Sequence, residues 1–221
     1  MDHRWYSVKT YDDLLKLNIE FIDEKIDKTP YSFGPMVGSQ ELRNNLVKLH
    51  QYGILTVGGQ ETKCEYNMYK DNYWRSFEQR AYLDFYINLD DNKKLAESFI
   101  EYLKNKNIIY LIKNPNGNAI ITNVKGRRFN LTRTSKSTEH KDKDTFLWND
   151  DTNFWNKYAD CEFYGQWGFI KSKSSKIKKI FKNTLYFQLA LPEYGKGNLE
   201  EILLNICQNV QTTKMLSKKS A

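Results

Sequence analysis

The sequence predicts an α+β protein: a mixed or antiparallel sheet that includes a three-strand meander, packed by about four to five helices. Three observations lead there. Apolar residues recur at helical spacing in several segments, they alternate at strand spacing between residues 80 and 89, and no regular strand-helix-strand alternation or internal repeat links the two. The 221 residues are 40% hydrophobic and 14% aromatic, enough for one sizeable core, so residues 1–221 are expected to form a single domain.

The first helix is signalled by Thr10 followed by Asp12 and Asp13, a hydroxyl cap and two acids where the helix dipole favours negative charge. Leu14, Leu17 and Phe21, backed by Leu15, Ile19, Ile22 and Ile26, carry one apolar face to about Asp27. Pro30, Gly34, Pro35 and Gly38 punctuate a loop. Ser39 caps a second helix, in which Leu42, Leu46 and Leu49 repeat until Gly53 stops it. Ile54–Val57 reads as a short strand closed by a Gly58-Gly59 turn, and a polar, aromatic connection leads to Trp74.

From Ala81 the alternation is clean. Ala81, Leu83, Phe85, Ile87 and Leu89 share one face of a strand, and Arg80, Tyr82, Asp84, Tyr86 and Asn88 share the other. Asp90 or Asp91 is expected to cap a helix with Leu95, Phe99 and Leu103 in line, ending near residues 105–107. Ile108–Lys113 and Ala119–Val124 form a hairpin around Asn116-Gly117, and a Lys125-Gly126 turn adds Arg127–Arg133 as a third, charge-guarded edge strand. Residues 134–145 are polar and charged and are expected to be a mobile loop or subdomain boundary. Nine aromatics crowd the stretch from Phe146 to Phe169, with a short helix near Asp150. Leu185–Leu191 reads as a strand and Asn198–Asn209 as a last helix, before a basic tail from Lys214.

The net charge of +7 is unevenly spread. Lys104–Lys143 holds ten Lys and Arg against Glu139 and Asp142, and Lys171–Lys182 holds six lysines and no acid, which leaves the remainder acidic. Such asymmetry speaks to partners rather than fold, and polyanions come first. Lys125, Arg127, Arg128, Arg133 and Lys136, with Lys176, Lys178 and Lys179, are the cations that could neutralise several phosphates of a nucleic acid at once, against the plainer reading of a solvated charged face.

A second candidate is the polar strand face. Arg80, Tyr82 and Asp84 place a guanidinium, a phenol and a carboxylate on one side of a strand, beside the Gly58-Gly59-Gln60 segment, whose backbone N–H groups could approach an anion. The plainer reading is the wet side of an antiparallel sheet and an ordinary turn.

Cys64, Cys161 and Cys207 are far apart and form no Cys-x-x-Cys pair, and no two of the three histidines have metal spacing, so no metal and no cofactor is expected. His50, in the last turn of the second helix, is expected to be structural, as a cation favoured there by the dipole. The paired acids at residues 12–13, 90–91 and 150–151 are read as helix starts rather than acid/base pairs. No run of about 18 apolar residues and no apolar leader is present, so neither a membrane span nor secretion is expected.

The run Asp12-Asp13-Leu14, then Leu46, Leu49, Gly53-Ile54-Leu55-Thr56, Gln60 and Gln79-Arg80-Ala81 resembles an uncharacterised domain family shared by giant-virus proteins of the mimivirus type and actinobacterial proteins. The Asn-, Lys-, Ile- and Tyr-rich usage is similar to that of AT-rich viral genomes. The likeness covers roughly residues 10 to 85 and implies a shared fold without a mechanism. Where the family has a Ser-Gln-Pro-Gly loop, this chain reads Gly59-Gln60-Glu61-Thr62. A viral origin would place the protein in host cytoplasm or in the particle.

Three function classes follow: a nucleic-acid or polyanion binder using the basic segments, an enzyme acting on a small polar or phosphorylated ligand at the Gly58/Arg80/Tyr82/Asp84 face, and a virion or scaffold component. Oligomeric state is not legible in the sequence.

Overall fold

The structure is a computed structural model that describes residues 3–27, 38–68, 74–114, 120–123, 128–130, 132–136, 139–141, 145–147, 180–193 and 195–219. It is an α+β fold whose centre is a five-stranded antiparallel sheet. In chain order, a 3-10 turn (His3–Ser7) and helices α1 (Tyr11–Ile22) and α2 (Gln40–Gln51) precede strands β1 (Ile54–Gln60), β2 (Lys63–Met68), β3 (Trp74–Gln79) and β4 (Tyr82–Asn88). Helix α3 (Leu89–Lys104) leads to β5 (Ile109–Lys113), β6 (Ile120–Thr122), β7 (Arg128–Asn130), β8 (Thr132–Lys136), β9 (Glu139–Lys141) and β10 (Thr145–Leu147). Strand β11 (Thr184–Ala190) and helix α4 (Leu199–Lys219) complete the order.

The central sheet runs β1-β4-β11-β5-β6, so the late strand β11 is inserted between two early ones. Leu83, Phe85 and Ile87 of β4 lie opposite Leu189, Phe187 and Leu185 of β11, and this face receives the helices. Phe85 stacks on Phe187 at 4.9 Å, and Phe99 of α3 meets both rings. Leu14 of α1, Leu49 of α2 and Leu203 of α4 are fully buried in the same core. Burying that many large apolar side chains is the main force holding the layers together.

Local signals place the helices. Thr10 accepts from Asp13 N at 3.1 Å while the Asp13 carboxylate accepts from Thr10 N at 2.9 Å, a reciprocal capping box. The Lys9 backbone N–H, which donates to the same carboxylate at 2.9 Å, does most to hold the Asp13 carboxyl below its ordinary range, and Thr10 adds to it. Ser39 accepts from Leu42 N, as expected of the α2 cap. Gly53 ends α2 in the left-handed conformation, φ 83°, where a Cβ would collide with the Asn92 amide.

Several expectations shift. Helix α1 stops at Ile22 rather than near Asp27, because Glu24 turns left-handed, φ 61°, and its carboxylate pairs with Arg43 of α2. The cap of α3 is Asn88, whose side chain accepts from Asp90 N at 3.2 Å; Asp90 and Asp91 lie inside the first turn. Gly58 and Gly59 do not close the first strand with a turn. They lie within β1, and the register against β4 slips between Thr56 and Gly58, a bulge that glycine accommodates. The expected hairpin forms as β5–β6, but the third strand of the meander is not added to it. Residues 128–130 pair with β10 and residues 132–136 pair with β3 and β9, in a two-stranded and a four-stranded sheet. The polar stretch expected as a loop at 134–145 carries the end of β8 and β9, since backbone pairing does not require apolar side chains. The short helix expected near Asp150 lies outside the described residues.

Candidate functional site

The face of the central sheet away from the helices is polar at its middle. Along β4 the residues on this side are Tyr82, Asp84, Tyr86 and Asn88, and the register sets Asp84 opposite Gly58 of β1 and Gln188 of β11. Tyr86 lies opposite Tyr186, which in turn lies opposite Lys113 of β5. Three strands therefore deliver one carboxylate, three phenols, two amides and, at the far edge, one ammonium to a single face.

Gly58 is what lets them meet. A Cβ built there would sit 3.1 Å from the Tyr82 hydroxyl and 3.4 Å from Asp84 Oδ2, so both polar ends reach over the bare backbone of β1. Gly59 is closed in another way, its missing Cβ facing the Leu83 side chain and the Tyr82 carbonyl. The Gln60 side chain donates to the Arg80 carbonyl at 3.0 Å and pins the start of β4 against β1.

Tyr186, the register partner of Tyr86, lies close enough to Asp84 for the carboxylate to act on its phenol. Tyr186 is half-buried. Burial first, then the neighbouring Asp84, Tyr86 and Tyr82, push this phenol well above its ordinary range, so it stays a neutral donor. The Tyr86 and Tyr186 rings lie 4.9 Å apart at 40°, and Phe181 meets the Tyr86 ring edge-on at 5.1 Å.

Burial deepens across the face. Gly58, Tyr82 and Asp84 are half-buried and Gly59 is exposed, whereas Tyr86, Gln188 and Lys113 are buried, Gln188 to 1% and Lys113 to 5% exposure. The Gln188 amide oxygen accepts no hydrogen bond among the described residues. A buried amide oxygen with no partner among the described residues is costly in a purely structural sheet, which is why a polar group so placed is worth reading as part of a site.

Of the residues singled out from sequence, Gly58, Gly59, Gln60, Arg80, Tyr82 and Asp84 are brought together along the β1–β4 pair. Tyr186, Gln188 and Lys113 were missed. Their signal was present in the alternation of Thr184, Tyr186 and Gln188 with Leu185, Phe187 and Leu189, but which strand they would join was not. Lys113, counted with the basic segment, is a buried residue of the central sheet and no part of an open cationic surface.

Among the proposed polyanion contacts, Arg128 lies on β7, and Arg133 and Lys136 lie on β8, where the register sets Arg133 opposite Glu78, and Lys136 opposite Arg75 and Glu139. Lys125, Arg127, Lys176, Lys178 and Lys179 lie outside the described residues.

Other features have local explanations. His50 is buried; its Nδ1 donates to the Leu46 carbonyl at 2.7 Å and its Nε2 lies 3.4 Å from the Thr56 hydroxyl. Burial pushes its pKa down to about 4, so the expected cation at the helix end is a neutral ring: desolvation outweighs the dipole. A cleft of about 330 Å³ between the end of α1 and the start of α2 is lined by Asp23, Glu24, Lys25 and Arg43, whose charges are paired with one another. Among the described residues no cluster of three or more His, Cys, Asp or Glu could hold a metal ion, and no helix is long and apolar enough to cross a membrane.

No protein-family model matches the chain, and no curated protein is similar enough to count as a relative.

Proposed function

We propose that this protein binds a small polar molecule on the face of the central sheet where Tyr82 and Asp84 reach over Gly58 and Tyr186 stands on the next strand. The observation that carries the reading is the placement of Asp84 Oδ2 and the Tyr82 hydroxyl above a residue with no side chain, with a third group supplied from β11. Ligand sites are concave and mostly apolar, with a few convergent polar groups that fix orientation. Here Asp84 supplies an acceptor and the phenols supply donor, acceptor and ring face. The graded burial from Gly59 to Gln188 supports entry from the β1 side, with the amide oxygen of Gln188 at the deep end.

The test is a screen of polar fragments by protein-observed NMR on the full chain, repeated on Gly58→Val. Fragments that shift the resonances of residues 82–86 and 184–188 in the wild type and lose that effect in the variant support the reading. Fragment effects that persist in a folded Gly58→Val protein place the ligand elsewhere.

A second reading, a nucleic-acid or polyanion binder, is favoured by the charge map, with ten Lys and Arg between Lys104 and Lys143 and six lysines between Lys171 and Lys182. It predicts affinity for mixed-sequence DNA or RNA that falls steeply with salt and weakens when Arg127 and Arg128 are reversed to Glu. Binding unchanged by that reversal removes it.

A further inference from the structure

Three parts of the chain meet where α4 begins, and one buried carboxyl lies among them. The Glu61 carboxylate accepts from Ser39 N at 3.1 Å and from the Ser39 hydroxyl, which holds the β1–β2 connection against the cap of α2. The next residue, Thr62, donates from its hydroxyl to the Gly197 carbonyl at 3.3 Å and ties the same connection to the approach of α4. Asn198 then caps that helix by accepting from Glu201 N at 3.1 Å. Glu200 sits in this first turn, 3% exposed, and its Oε1 has no hydrogen-bond partner among the described residues.

We propose that this junction is a proton-operated latch: with Glu200 protonated the first turn of α4 stays docked, and with Glu200 ionised it swings away from α2 and the β1–β2 connection. The inference goes beyond the ligand-site reading and does not depend on it.

The groups gathered at the junction carry the argument. Glu61 comes from the β1–β2 connection, Glu41 from the first turn of α2 and Glu201 from α4 itself, so three carboxylates share the place with Glu200. The cations on the adjoining segments are engaged elsewhere, Lys196 with Glu193 at 3.5 Å and Lys63 with Glu65 at 2.7 Å. The Ser39 N–H and hydroxyl are given to Glu61, and Thr62 to Gly197. An ionised carboxylate buried among like charges, with one oxygen unpartnered, loses its hydration without return, and docking therefore favours the protonated form. Burial first, and then Glu61, Glu201 and Glu41, raise its pKa accordingly, against its own backbone N–H.

A hinge is in place as well. Gly195 and Gly197 both take left-handed backbone, φ 65° and 87°, just before the Asn198 cap, and small residues at an element's end are where a rigid helix can turn as a unit. Docking is strongest below the ordinary carboxyl value of 4.5 and weakens as pH rises from there to the raised value, the opening equilibrium growing by up to about tenfold for each pH unit.

Native-state hydrogen exchange of the full chain, followed residue by residue by NMR from about pH 4.5 to about pH 7.5 and corrected for the intrinsic rate, reads this opening. The amides of residues 203–206 in the wild type are expected to lose protection as pH rises, while those of residues 83–87 in the central sheet keep theirs. Glu200→Gln should abolish the rise in opening. Glu201→Gln, at an exposed position, should shrink the rise without abolishing it, and serves if Glu200→Gln does not fold. No rise in the wild type, a rise that survives Glu200→Gln, or one that Glu201→Gln leaves unchanged overturns the latch. Equal loss of protection at residues 83–87 overturns it too, since Glu200 would then act on overall stability alone.

Discussion

The Tyr11 hydroxyl donates a 2.6 Å hydrogen bond to the carbonyl of Tyr86, and it accepts from Leu55 N at 3.2 Å. Leu55 and Tyr86 are register partners on β1 and β4, so one phenol from the first helix is clasped between two strands of the central sheet. Burial pushes that phenol far above its ordinary range, and the group stays protonated across the whole working range of pH.

Tyr11→Phe should therefore cost about 1–3 kcal/mol, because Leu55 N–H and the Tyr86 carbonyl lose a buried partner while the ring still fills its space. Urea denaturation measures it. A change below about 0.5 kcal/mol would show that the two strands close directly on one another when the hydroxyl is gone.

His50 sets a pH dependence. Its pKa falls from an ordinary 6.5 to about 4 on folding, so the unfolded chain binds the extra proton first as pH drops. The neutral ring contributes its stability in full above about pH 6.5, and that contribution is lost as pH falls toward 4, by up to about 3 kcal/mol. His50→Asn, whose amide could donate to Leu46 O as Asn18 does to Leu14 O, should flatten the slope of stability against pH in that window. An unchanged slope would sink the assignment.

Much of the helical layer was legible because its signals are local. Thr10 with Asp13, Ser39 before Leu42, and Gly53 after Gln51 each act within a few residues, and each was found where the sequence put it. Asn88 was overlooked as a cap since two aspartates follow it, although the residue that leaves the strand is the one with the extended backbone a cap needs. The site was half legible. Alternation placed Tyr82 and Asp84 on one face, but Tyr186 and Gln188 come from about a hundred residues downstream, and no local pattern states which strand lies beside which. Gly58 looked like a turn because glycine pairs usually are; its work as a bulge under two polar side chains depends on β4.

Glu200, in the first turn of α4, is 3% exposed, and its Oε1 has no hydrogen-bond partner among the described residues. Burial raises its pKa, with Glu61, Glu201 and Glu41 adding to the effect. A raised carboxyl pKa means folding favours the protonated form, so the ionised group weakens the fold at neutral pH and ceases to do so in acid. Glu200→Gln should thus melt higher than the wild type at pH 7, and the gap should close on acidification. A variant that melts lower at pH 7 would assign the carboxylate a partner.

The thiols should differ sharply in reactivity. Cys64 is exposed, whereas Cys207 is fully buried and its pKa is pushed up to about 12 by burial. With iodoacetamide at pH 8, peptide mass mapping should find Cys64 alkylated in the native protein and Cys207 protected until denaturant is added. Native labelling of Cys207 at the rate of Cys64 would mean that α4 opens readily.

The position of β11 has a consequence for how the chain comes to be made. A ribosome delivers β4 and β5 first, each with an unfilled side, and must release some seventy further residues before the strand that bridges them emerges. The middle of the sheet is thus the last part to be closed, and folding waits on the long excursion that precedes Thr184, which makes the nascent protein a natural client for holding factors that shield open strand borders.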